Sequence, residues 1–144
     1  MPTFEVTTYV RASREGTFDL LRPAQFPEWR ASITQVEPVD GPLDRPGARF
    51  VTRYASRVMP GSSHEITAID PPRLLQLRGE AEGARYRATF RLDDAGEGTN
   101  VRFENEYEVV GVVGRLLRRR IAASLEREWT EDLERLKAVA ERRP

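Results

Sequence analysis

The chain has 144 residues, no cysteine, and 23 Lys+Arg against 23 Asp+Glu for a formal net charge of +0. These values exclude a disulfide framework, a thiolate nucleophile and a Cys-based zinc site, and the missing basic excess argues against nucleic acid as a partner. A chain of this length buries roughly 70% of the surface its unfolded form exposes, enough for a core without metals or crosslinks, and residues 1–144 are read as one domain.

Lys137 is the one lysine beside many arginines, a bias that suits a high-GC bacterial coding sequence. Met1 to Glu5 lack a basic start followed by an apolar run, so no signal peptide is expected. The apolar stretch from Val109 to Val113 is too short to span a bilayer, so no stable membrane insertion is expected. A cytoplasmic location follows as the expectation.

Phe4, Val6, Thr8 and Val10 alternate with Glu5, Thr7, Tyr9 and Arg11, the period of a first strand. Ser13 stands at an N-cap position before a short helix with Phe18, Leu20 and Leu21 on its apolar side. Gly16 weakens that helix, Pro23 and Pro27 interrupt it, and a second short helix or turn carries Phe26 and Trp29. Ile33 to Val39 reads as a strand, and Gly41 to Gly47 as a loop. From Ala48 to Val58, Phe50, Thr52, Tyr54, Ser56 and Val58 face one way and Arg49, Arg53 and Arg57 the other. Met59 to Ser63 turn the chain. His64 to Asp70 is a strand stopped by Pro71-Pro72, and Leu74 to Glu80 is the next, with a turn at Gly83.

The last two strands carry the clearest pattern. Tyr86, Ala88, Phe90 and Leu92 share a face, as do Val101, Phe103, Asn105, Tyr107 and Val109, with Asp93 to Gly98 as connector. Antiparallel pairing that sets Leu92 against Val101 and Phe90 against Phe103 also sets Arg87 against Glu106 and Arg85 against Glu108. Facing opposite charges favour that register, and a slip by one residue would turn the aromatic face to water. Gly111 and Gly114 precede a long helix, about Arg115 to Glu141. Its stripe is Leu117, Ile121, Leu125, Trp129, Leu133, Leu136 and Ala140.

Seven clustered strands followed by a long helix indicate an α+β domain. The apolar face of the sheet and the apolar stripe of the helix must be buried, and each is the natural partner of the other. A curved sheet around one helix can leave a gap that side chains do not fill, a default site for a ligand. Asn105 lies between Phe103 and Tyr107 on the inner face, and a buried amide without a partner costs roughly 1–3 kcal/mol. It needs an internal partner, a water or a ligand.

Order and spacing of several segments carry a resemblance over nearly the whole chain. They are Val10-Arg11-Ala12-Ser13 leading to Phe18-Asp19, Pro27-Glu28-Trp29, Glu65-Ile66 through Asp70-Pro71-Pro72-Arg73-Leu74, Gly98-Thr99-Asn100-Val101, and a closing helix ending in Leu133-x-x-Leu136-Lys137. In these the chain resembles the START-like, or SRPBCC, superfamily and its bacterial polyketide cyclase/dehydrase-like group. Arg14-Glu15 departs from the proline and glutamate often found there. The resemblance implies a helix-grip fold: a curved seven-stranded antiparallel sheet around a long C-terminal helix, two short helices after the first strand, and a deep hydrophobic cavity. Its members bind lipids, sterols, polyketides or plant hormones. They share no universal catalytic motif.

The expected ligand-contacting residues are Trp29 from the short helices, Thr52, Tyr54 and Ser56, Tyr86 and Phe90, Phe103, Asn105 and Tyr107 from the sheet, and Leu117, Ile121 and Leu125 from the helix. Trp29 either closes one end of the pocket or packs the short helices onto the sheet, and Trp129 is expected in the core. The inner tyrosines either pack or offer hydroxyls to a ligand. His64 is the one histidine, too few for a multi-His metal site. It can act as a lone base, but behind Ser62-Ser63 at a strand start it is expected near the surface. Glu128 beside the stripe could serve as an acid if buried, but is expected in solvent; Arg118-Arg119-Arg120 could contact phosphate or an acidic membrane surface, but are expected as a solvated face paired with nearby glutamates. No catalytic residue, metal or cofactor is assigned.

Three functions are compatible with the sequence. One is a carrier or binding protein for a hydrophobic small molecule (a lipid, polyketide or aromatic metabolite). Another is a metal-free polyketide cyclase, aromatase or dehydratase, and the third a protein-interaction module of the same fold. Monomer and homodimer are both compatible with the pattern.

Overall fold

The computed structural model describes residues 2–55, 61–81 and 84–143. Seven strands, β1 (Thr3–Val10), β2 (Ile33–Pro38), β3 (Arg49–Tyr54), β4 (Ser62–Asp70), β5 (Leu74–Ala81), β6 (Ala84–Ala95) and β7 (Gly98–Val109), form one antiparallel sheet in the order β1-β7-β6-β5-β4-β3-β2. Between β1 and β2 run helix α1 (Arg14–Leu21) and a 3-10 helix (Pro23–Glu28), so this pair links the two edges of the sheet. Helix α2 (Val112–Leu116) and helix α3 (Arg118–Arg142) close the chain. This is the helix-grip arrangement.

The local rules act as the residue types require. Ser13 caps α1, its Oγ accepting from Gly16 N at 3.0 Å. The β6–β7 register pairs Leu92 with Val101, Phe90 with Phe103, Arg87 with Glu106 and Arg85 with Glu108. Arg85 Nε, however, lies 3.1 Å from Glu80 on the neighbouring strand. Irregularities in register between Ile33 and Gln35 and between Ile66 and Ala68 bend and twist the strands locally.

Some boundaries differ from those read off the sequence. β6 runs through Asp93–Ala95, leaving a two-residue turn in which Gly96 takes φ +60°, because the hairpin ladder continues past the apolar core. β2 ends at Pro38. The expected strand over Val58 and the turn at Gly83 lie outside the described residues, as does Ser56. The long helix is divided at Leu117 and reaches Arg142.

The core is densest at one end. Val10, Phe18, Leu21, Phe90, Leu92, Val101, Phe103, Leu133 and Leu136 are almost fully buried. The C-terminal half of α3 is tied down there, with Lys137 Nζ donating to Tyr9 O at 2.7 Å and Arg11 N donating to Glu141 Oε2 at 2.9 Å. Toward its N-terminus the same stripe loosens. Trp129 is buried, Leu125 and Ile121 are half-buried, and Leu117 is exposed. A helix anchored at one end thus stands off the sheet at the other.

Candidate functional site

The inner face of β6–β7 changes character along the hairpin. Its paired rows run Leu92–Val101, Phe90–Phe103, Ala88–Asn105, Tyr86–Tyr107 and Ala84–Val109. Trp129 stacks on Phe103 with centroids 4.2 Å apart and planes at 26°, which seals the aromatic rows. Beyond that seal the sheet offers small or polar groups, and α3 has already lifted away. A cavity of about 310 Å³ remains between them.

Tyr54, Tyr86, Asn105 and Tyr107 line this cavity from the sheet, and Leu117, Ile121 and Leu125 from the helix side. Trp29, Phe90 and Phe103 were expected there and stand elsewhere. Alternation names the face of a strand but not how far along it the helix docks, and these rings lie in the sealed part. Trp29 packs edge-on to Phe26 and Phe90, and its Nε1 donates to Leu20 O at 2.6 Å. It holds the short helices to the sheet. Thr52 faces inward but supports the site from behind, hydrogen-bonded to His64.

His64 corrects the surface position expected of it. It is buried and lines the cavity. β4 lies between β3 and β5, and His64 falls on its inward face while Ser63 faces out. Ser62, His64 and Ile66 therefore all point into the core. The imidazole stacks on Phe50 at 5.0 Å, and its Nε2 is 2.9 Å from Thr52 Oγ1. Its Nδ1 is hydrogen-bonded to the Tyr86 hydroxyl. Burial, and secondly the Arg30 guanidinium, push the His64 pKa down to about 4. Burial pushes the Tyr86 phenol up. At neutral pH both groups are uncharged, so one ring nitrogen donates and the other accepts. With the proton on Nδ1, the Tyr86 O–H is free to donate into the cavity. With it on Nε2, Tyr86 donates to the ring.

Two residues of this neighbourhood had no local signature. Arg30 lies over Trp129, its Cζ 3.9 Å from the ring centroid, and its Nε is 3.2 Å from Asp132 Oδ2. Asp132 is 1% exposed and also accepts from Arg135 Nη1 at 2.6 Å. The one available sign was an acid at the stripe spacing of Trp129 and Leu136, where a buried carboxylate requires a cation. Glu128 is half-buried and lines the cavity. Its Oε1 accepts from Ser32 Oγ at 3.3 Å and lies 3.9 Å from Arg30 Nη2.

Asn105 is the unusual member. It is 3% exposed, and its Oδ1 has no hydrogen-bond partner among the described residues. Its cross-strand neighbour on β6 is Ala88, too small to cover it, so the amide borders open space. The lining residues exposed to solvent are Leu117, Arg120 and Ser124, which place the mouth at the start of α3. The site thus has apolar walls and a few polar groups, the composition of a small-molecule pocket.

Zhui aromatase/cyclase from Streptomyces sp. R1128 matches this structure with a TM-score of 0.83 at 15% identity, over 99% of this chain and 94% of that one. Ara h 8.0201 matches at 0.78 with 15% identity, over 96% and 97% of the two chains. TTHA0849 from Thermus thermophilus matches at 0.76 with 19% identity, over the same shares, 96% and 97%. At such identities the likeness is one of fold. No curated protein matches in sequence. A family profile described as polyketide cyclase / dehydrase and lipid transport matches residues 1–141. Its match runs from before β1 almost to the end of α3, the same elements that build the cavity, and the chain therefore belongs to this family of the START-like (SRPBCC) superfamily.

Proposed function

We propose that the chain is a binding protein or carrier for a compact hydrophobic molecule, such as a polyketide or aromatic metabolite, that bears a hydroxyl or similar donor. The observation that carries this reading is the unpaired Oδ1 of Asn105 on the cavity wall. A buried acceptor left alone is costly, and a ligand hydroxyl would satisfy it. About 310 Å³ lies at the small end of drug-sized pockets and suits a fused-ring compound better than a two-chain lipid. Native mass spectrometry of freshly purified protein tests the reading. A co-purified metabolite of small mass, absent from Asn105→Leu, supports it. Wild-type protein that carries nothing, and that no hydroxylated ring compound stabilises, opposes it.

A second reading, a cyclase or dehydratase, is favoured by the His64–Tyr86 hydrogen bond. A neutral phenol at the cavity wall, backed by an imidazole, can donate a hydrogen bond that polarises a substrate carbonyl as charge develops on its oxygen. It predicts turnover of a poly-β-ketone that Tyr86→Phe slows by about 100-fold or more while binding persists. A carrier shows ligand-dependent stabilisation without turnover.

A further inference from the structure

Of the large hydrophobic residues exposed on the described surface, Val110, Val112, Val113, Leu116 and Leu117 form one run, and only Tyr9 and Val39 lie apart from it. Val112 is 74% exposed, Val113 69% and Leu116 80%. Their outward orientation is built in. Gly114 is the inward residue of α2, and a Cβ there would meet Val109 Cγ1 at 2.5 Å, so the helix sits on the end of β7 by its glycine and turns its apolar side chains to solvent. Arg115, Arg118, Arg119 and Arg120 surround this ridge. All four are exposed and none has a carboxylate partner among the described residues. The expected pairing with nearby glutamates is thus not formed, and Glu108 is the one acid lining the adjoining groove.

We propose that α2 and the first turn of α3 dock on an anionic lipid surface. The chain is neutral overall, so only the local arrangement of charge can select such a surface. Apolar side chains flanked by unpaired arginines match the boundary between acyl chains and negatively charged headgroups, and neither feature alone would select it. The ridge is contiguous with the cavity mouth, since Leu117 and Arg120 belong to both. A docked protein would therefore hold its opening against the layer in which hydrophobic metabolites dissolve. This is peripheral docking, distinct from insertion of a spanning helix, which no described helix is long and apolar enough to provide.

The test uses the full chain and vesicles, without any cavity ligand, so it fails or succeeds independently of the proposed binding role. Wild-type protein is expected to co-sediment with vesicles of equal parts phosphatidylcholine and phosphatidylglycerol, not with phosphatidylcholine alone, and to be released by high salt. Val113→Glu with Leu116→Glu is expected to abolish sedimentation. Arg118→Gln with Arg119→Gln is expected to weaken partitioning about tenfold or more. Unchanged circular dichroism would show that both variants fold. Failure of the wild type to sediment with anionic vesicles, or sedimentation of both variants like wild type, overturns the proposal. So does a lipid-free dimer that the Val113→Glu and Leu116→Glu pair dissociates, which would assign the ridge to a second copy.

Discussion

His64 and Tyr86 reach each other across the space that Gly79 leaves empty. Gly79 lies between them in the sheet, paired with His64 on one side and Tyr86 on the other. A Cβ on Gly79 would stand 2.7 Å from His64 Nδ1, 3.0 Å from Tyr86 Cε1 and 2.6 Å from the Ser63 carbonyl oxygen. The last of these is backbone and cannot swing aside.

Gly79→Ala is therefore expected to destabilise the fold by about 1–3 kcal/mol, the usual cost of overpacking, and to separate the imidazole from the phenol. Urea denaturation reads the first effect and the His64 ring resonances in NMR read the second. An unchanged ring environment would contradict this geometry.

Stability should also depend on pH through His64. The folded pKa is about 4 and the unfolded value 6.5, so between them the unfolded chain binds more protons. The contribution is full above pH 6.5 and is lost progressively as pH falls toward 4, by about 3 kcal/mol in all. Urea midpoints measured across this window should slope downward toward acid in wild type and lose most of that slope in His64→Gln.

Asp132 bridges α3 to the segment after the 3-10 helix through Arg30. Asp132→Ala removes the nearer carboxylate of Arg30 and leaves it only Glu128 at 3.9 Å, so it is expected to cost about 1.5–3 kcal/mol. The loss should be relieved in part when Arg30 is replaced as well, a coupling that a double-mutant cycle measures.

Asn105→Leu should raise the stability of the ligand-free protein by about 1 kcal/mol or more, because it replaces an unpaired buried acceptor with apolar atoms whose extra volume the bordering cavity can take up. The same change should weaken binding of a hydroxylated ligand. A lower melting temperature for ligand-free Asn105→Leu would mean that the amide is satisfied internally.

Much of this was legible from local patterns. Alternation and facing charges both selected the β6–β7 register, and alternation put Tyr54, Tyr86, Asn105 and Tyr107 on the inner face. Depth along a strand was not legible, because it depends on where α3 docks, and this is why Phe90 and Phe103 stand in the sealed core. The position of His64 depends on the strands beside β4 and on Gly79, which is its partner only across the ladder. Arg30 and Asp132 meet across 102 residues, a distance no local period encodes.

The most direct measurement is the thermal shift of wild type and Ile121→Trp with a panel of hydroxylated polycyclic aromatics. Ile121 borders the open volume, and an indole there would occupy it. Stabilisation of the wild type that the indole variant lacks is the predicted result. Equal shifts in both proteins, or none in either, would contradict a ligand-holding interior.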